Sequence, residues 1–176
     1  MVTIQKAKIE DVKEIQDVFY KTWLATYPNK KAGITIEDIE ERFKNRFSEK
    51  NIRKRETQIL DAPENKFFLV AKDRDKVIGA CIAVKEADIN QLQAIYVLPE
   101  YQGRGVGQMF WTKIQEFFAR DKRTIVQVAD YNDKAIAFYQ KLGFVDTGKR
   151  FTDEKHKMPV SGDCIPEMEM EIKVKA

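Results

Sequence analysis

The chain has 176 residues, 43% of them hydrophobic and 34% charged, and its 31 lysines and arginines nearly balance 28 aspartates and glutamates, for a net charge of +3. A chain of this length buries about 70% of its unfolded surface and builds a core without disulfides or metal, and so weak a charge bias argues against a dedicated nucleic-acid binder. One histidine and two cysteines allow no Cys/His cluster with zinc spacing, so no metal is expected.

Val2–Ala7 alternates and reads as a strand. Asp11 reads as a helix N-cap with Glu14 completing a capping box, and Val12, Ile15, Val18, Phe19, Thr22 and Trp23 follow at helical spacing up to Tyr27-Pro28. Thr35 with Asp38 opens a second helix with Ile36, Ile39, Phe43 and Phe47 on one face, and residues 49–60 are read as its continuation. Lys66–Lys72 and Val77–Lys85 read as a hairpin, and Gln91–Leu98 as the next strand. A helix follows with Val106, Met109, Phe110, Ile114, Phe117 and Phe118 on its stripe. Then come a strand at Thr124–Ala129, a short helix opened by Asn132 or Asp133 and closed at Gly143, a strand at Phe144–Phe151 and an alternating strand at Glu167–Val174. Hairpins combined with strand–helix–strand crossovers predict a mixed sheet in one α/β domain over residues 1–176.

The N-terminus has no apolar signal core, and no run of about 18 apolar residues exists, so a cytoplasmic protein without membrane contact is expected. Cys81 and Cys164 read as free thiols. His156, in a polar and lysine-rich stretch, reads as a solvent-exposed loop residue rather than a catalytic one.

The informative segment runs from Ile95 to Gly107. A hydrophobic strand leads into Gln102-Gly103-Arg104-Gly105-Val106-Gly107 and then an amphipathic helix. Glycines let the backbone turn and present successive N–H groups, which with the positive end of the helix suit a phosphate or pyrophosphate; Arg104 could add its charge. The loop is neither a Walker A sequence nor the dinucleotide fingerprint, and alone it is equally a tight turn with nothing bound.

Further along stands Asn132-x-x-Ala135-Ile136-x-Phe138-Tyr139-x-x-Leu142-Gly143-Phe144. Together with Gln102-x-x-Gly105-x-Gly107, it resembles the GCN5-related N-acetyltransferase (GNAT) superfamily over nearly the whole chain. Trp23–Tyr27, Gly33-Ile34 and Glu37-Asp38-Ile39 resemble the first-helix region of its bacterial PaiA-like and RimI-like members. The resemblance implies a single-domain α/β fold with a mixed, mostly antiparallel central sheet flanked by helices. It implies acetyl-CoA as co-substrate and direct transfer of the acetyl group to a primary amine, either a small amine such as a polyamine or a protein amine, with homodimerisation left open. The alternative is a non-catalytic acyl-CoA-binding or sensing module of the same fold.

Residue by residue, the resemblance implies that Ile95, Tyr96 and Val97 pair with the pantetheine arm. Gln102, Gly103, Arg104, Gly105, Val106 and Gly107, with Gln108, would hold the pyrophosphate. Asn132 would hydrogen-bond the pantetheine region, and Tyr139 would protonate the leaving thiolate. On its own, Tyr139 reads equally as a packed aromatic between Ile136 and Leu142. Some relatives carry a catalytic glutamate where this chain has Gln127, so the base is left unassigned among Asp88, Asp130, Asp133 and solvent. The acceptor pocket is expected from residues 20–40 and 151–166, with Tyr20, Tyr27 and Tyr131 as candidate contacts. The length and polarity of the 152–165 connection predict that it orders on acceptor binding.

Overall fold

The computed structural model describes residues 1–152, 154 and 157–174; His156 lies outside them. A seven-stranded sheet runs in the order β1-β2-β3-β4-β5-β7-β6. Its strands are β1 (Val2–Lys6), β2 (Lys66–Asp73), β3 (Lys76–Lys85), β4 (Ile89–Val97), β5 (Arg123–Ala129), β6 (Val145–Thr152) and β7 (Pro166–Ile172). Among the described residues five α-helices flank it: α1 (Val12–Thr26), α2 (Ile36–Phe43), α3 (Glu49–Leu60), α4 (Val106–Gln115) and α5 (Asp133–Lys141). Among the described residues only β4 and β5 pair in parallel, so the sheet is mixed and mostly antiparallel, as expected.

Three local expectations change. Asp11 stands at the N-cap of α1 as expected, but its side chain makes no capping hydrogen bond there. It closes a 3-10 turn over Ile9–Asp11, accepts the Lys8 N–H at 2.9 Å and pairs with Lys72 of β2 at 2.5 Å, so the long-range cation takes the carboxylate that the local pattern assigned to capping. Residues 49–60 form a separate helix, because Ser48 breaks the run and its hydroxyl accepts the Asn51 N–H at 3.4 Å. α4 stops at Gln115, where the Phe117 and Phe118 N–H groups both turn back to the Ile114 carbonyl.

Cross-strand partners share a face of a sheet. Gly79, opposite Val97, lies under Phe110 of α4, where a Cβ would come within 3.1 Å of that ring. Ala80 and its partner Tyr96 face the other way, and Tyr96 meets Phe19 of α1 edge-on at 5.0 Å. α1 and α4 therefore cover opposite faces.

One break in the sheet matters for everything that follows. β4 and β5 pair only from Ile89↔Arg123 to Leu92↔Val126. The β3–β4 register shifts at Gln93, and beyond it Gln93–Val97 and Gln127–Ala129 diverge. On its far side β5 pairs with β7 through to Ala129↔Glu167. No helix of the described residues is long and apolar enough to cross a membrane.

Candidate active site

A groove of about 870 Å³ opens in this fork. Gln93–Val97 of β4 form one wall, and Gln127 and Val128 of β5 the other, with the loop before α4 at one end and α5 alongside.

The loop is a run of backbone donors. Gly103 and Gly105 sit at φ +74° and +82°, where a Cβ would meet nothing within 4 Å, so conformation rather than crowding calls for glycine there. At Gly107 the reason is contact: a Cβ would lie 3.0 Å from the Phe138 ring of α5. The N–H groups of Gly103 through Gln108 have no hydrogen-bond partner among the described residues, while Met109 is the first to close back, on the Gly105 carbonyl at 3.0 Å. Gln102 ties loop to strand by donating its side-chain N–H to the Val97 carbonyl at 3.0 Å.

Of the residues singled out from the sequence, Ile95, Tyr96, Val97, Gln102, Gly103, Gly105, Val106, Gly107, Gln108, Asn132 and Tyr139 all line the groove. Arg104 does not; its guanidinium lies over the Tyr101 ring at 5.3 Å. Asn132 caps α5, its side-chain oxygen accepting the Ala135 N–H at 3.2 Å, so only its NH₂ group is left for the groove.

Tyr139 is 6% exposed, wedged edge-on between Phe138 and Phe144 at 5.2 and 5.5 Å. Its hydroxyl has no hydrogen-bond partner among the described residues. Burial, assisted by Cys81 and Tyr96 nearby, pushes the phenol well above its ordinary value of 10.0. The ring packs against its neighbours, and the residue lines the groove.

Toward α1 the groove is walled by phenols. The Tyr27 and Tyr96 hydroxyls are 3.4 Å apart, and Tyr131 donates to the Tyr27 carbonyl at 2.8 Å. Burial raises all three phenols; Tyr131 is pushed up to about 12, with Asp130 and Glu167 adding to the shift. Hydrogen bonds with Tyr27 and Trp23 partly offset the rise at Tyr96. Tyr20 instead packs against Phe43 at 5.8 Å, away from the groove.

Sequence reasoning missed the residue that joins the start of α2 to the connection before β7. Asp38 is fully buried. One carboxylate oxygen accepts the Val160 and Ser161 N–H groups at 2.9 and 2.8 Å, and the other accepts the Thr35 N–H and hydroxyl at 2.9 and 3.0 Å. Burial alone would raise its pKa, but the donors at Ser161, Thr35 and Val160 outweigh it and hold the carboxyl well below the usual range. Met158 packs with Ile34 and Ile39 beside it. The connection expected to order on acceptor binding is therefore already docked over residues 157–165. The Thr35-x-x-Asp38 capping box was legible; partners more than 120 residues away were not.

The family model of the acetyltransferase (GNAT) family matches residues 34–144. The peptidyl-lysine N-acetyltransferase YjaB of Salmonella typhimurium is 25% identical over 95 residues, which cover 54% of this chain and 61% of that protein, less than two thirds of its length. Among solved structures, PaiA N-acetyltransferase of Thermoplasma acidophilum in complex with coenzyme A superposes with a TM-score of 0.72 at 22% identity, covering 98% of this chain and 99% of that one. The ribosomal-protein-S18-alanine N-acetyltransferase of Escherichia coli superposes at 0.61 with 19% identity, over 100% and 96% of the two chains.

Proposed function

The chain belongs to the acetyltransferase (GNAT) family, and from that premise we propose that it transfers the acetyl group of acetyl-CoA, its co-substrate, directly to a primary amine. The observation that carries the reading is the fork. It joins a row of N–H donors without partners among the described residues, an open strand edge and a buried phenol in one groove.

The residues fit the co-substrate. The donors from Gly103 to Gln108, at the positive end of α4, suit a pyrophosphate, and the open space at Gly103 and Gly105 leaves room for its approach. Arg104 adds its charge to the field without lining the groove. β4 beyond Leu92 has lost its β5 partner, so the backbone of Ile95–Val97 is available to an extended amide chain, and the Asn132 NH₂ group to a carbonyl of that chain. The co-substrate supplies an acetyl thioester.

Tyr139 keeps its proton throughout the working pH range, because its pKa is raised. It serves as hydrogen-bond donor to the sulfur as negative charge develops there. A thiol titrates near 8.5, so the phenol parts with its proton only as another replaces it.

The acceptor is a small amine such as a polyamine or a protein amine; names such as peptidyl-lysine and ribosomal-alanine acetyltransferase among the similar proteins support this class. A cytoplasmic setting belongs to the same proposal and is supported by the two free cysteines. The test is release of free CoA from acetyl-CoA across spermidine, lysine, aminoglycosides, a lysine-containing peptide and peptide N-termini. Turnover with at least one amine is expected. Tight binding of acetyl-CoA without turnover on any of them would overturn the reading in favour of an acyl-CoA-binding module.

A further inference from the structure

Where β4 and β5 part after Leu92↔Val126, side chains take over from the backbone. Tyr131, on the turn after β5, donates to the Tyr27 carbonyl at 2.8 Å, across 104 positions of chain. Tyr27 is the C-cap of α1, with its own N–H turned back to the Trp23 carbonyl at 3.0 Å. Carbonyls of a last helical turn lack partners inside the helix, so Tyr131 satisfies one that α1 leaves exposed. The Tyr27 hydroxyl in turn meets the Tyr96 hydroxyl of β4 at 3.4 Å, the weaker joint of the two. Three tyrosines thus run from β4 to the end of β5 and cross the fork where the ladder no longer does.

The crossing lies on one face of the sheet. Tyr96 points to the side that α1 covers, away from Gly79 and Val97 under α4. The donor row leads into α4, on the opposite side. The groove therefore passes through the sheet, from the anion end on the α4 face to the tyrosines on the α1 face. Thr22, Ala25 and Thr26 of α1 line it beside them. A nucleotide seated on the donor row occupies the first end and leaves the second to the amine. Burial pushes the Tyr131 phenol up to about 12, so its bond to Tyr27 keeps its proton throughout the working pH range.

We propose that Tyr131 is a positioning residue for acetyl transfer: through Tyr27 and Tyr96 it sets the width of the fork on the α1 face, where the acceptor amine meets the thioester. The assignment rests on the acetyl-transfer reading above. Tyr131 takes no part in making or breaking bonds. Its effect is on distance. Attack needs the nitrogen about 3–3.5 Å from the carbonyl carbon, and a misplacement of about 1 Å can cost about 100-fold in rate. With the β4–β5 ladder ended at Leu92, the chain of hydroxyls ties the two walls together at the end where that distance is decided.

The test is a double-mutant cycle on the two joints, Tyr131→Phe and Tyr96→Phe, with spermidine and a lysine-containing peptide as acceptors. Each variant keeps its ring and loses one hydroxyl. Each alone should lower kcat/KM for the amine about fivefold, the worth of one neutral hydrogen bond, with CoA affinity in calorimetry as in the parent. Because a tie cut once is already cut, the double variant should lose about fivefold as well, rather than the roughly 25-fold of independent contacts. If the double variant does not fold, Tyr131→Phe carries the test through partition. The share of acetyl-CoA hydrolysed rather than transferred should rise, because a loosened fork admits water. Losses that multiply in the double variant, or an unchanged partition in Tyr131→Phe, would overturn the assignment while leaving acetyl transfer standing. So would a lowered Tm with parental kcat/KM, which would make the bond a matter of stability alone. A parent that binds CoA but acetylates neither amine would remove the transfer reading and the assignment with it.

Discussion

The hydroxyls of Tyr27 and Tyr96 lie 3.4 Å apart, although one closes α1 and the other stands on β4. The pair joins the end of α1 to the open strand edge of the groove, and Trp23, 4.5 Å from the Tyr27 ring, backs it. Tyr96→Phe should keep the Phe19 contact and remove only the hydroxyl. We expect CoA affinity within about twofold of the parent and a rise in acceptor KM, corresponding to one neutral hydrogen bond of about 1 kcal/mol. Steady-state kinetics with CoA calorimetry check it, and a higher CoA Kd with unchanged acceptor KM would refute it.

Gly105 separates two effects. Gly105→Ala meets no steric obstacle but must adopt φ +82°, at a cost of about 1–2 kcal/mol, so it should lower Tm and leave CoA binding measurable. Gly105→Glu adds a negative charge beside the donor row and should abolish CoA binding in a folded protein. Calorimetric titration of both distinguishes them; equal CoA affinity in the glutamate variant would mean that the anion sits elsewhere.

Tyr139→Phe retains the edge contacts with Phe138 and Phe144 and loses the proton donor. The turnover number should fall about 100-fold, with CoA affinity held. Because burial raises the phenol, the parent should show no loss of rate from Tyr139 ionisation below about pH 10. Wild-type turnover by the phenylalanine variant would reduce Tyr139 to packing.

Asp38 makes an acid-sensitive contribution to stability. Its folded pKa lies below the unfolded value of about 3.9, so its contribution is complete above that value and is lost as pH falls through the folded pKa. Asp38→Asn replaces one acceptor oxygen by a donor facing N–H groups and should cost about 3 kcal/mol. Denaturant unfolding at pH 7 measures the loss, and between about pH 4 and 2 the variant should show a shallower fall in stability than the parent. Parallel curves would show that the carboxylate is not the titrating group.

Gln127→Glu introduces a carboxylate on the groove wall. With a basic acceptor the limb of the rate profile that rises with pH should move to lower pH. An unchanged profile would mean that position 127 does not reach the amine.

What was legible in the sequence was what local chemistry dictates. Gly103 and Gly105 declare themselves because few other residues tolerate positive φ, and Asn132 through Phe144 form one short helix with its cap and its closing Gly143. Non-local placement was not legible. Asp11 looked like a capping side chain until Lys72 claimed its carboxylate, and Arg104 looked like an anion ligand although its guanidinium lies over Tyr101. Nor does any local pattern reveal that β7 inserts between β5 and β6.

The clamp at Asp38 also sets an order of events for a folding chain. The hairpin of β2 and β3 and the β3–β4 pair join residues close in sequence, whereas Asp38 waits for Val160 and Ser161, 122 and 123 positions away. Loops of that length close late, so the β2–β3–β4 part of the sheet should form before the clamp at Asp38. The same asymmetry should persist in the finished protein. The N–H groups of Val160 and Ser161 should exchange with solvent through a local opening that leaves β2 and β3 protected, so the protein can loosen around Asp38 while its grip on CoA stays intact.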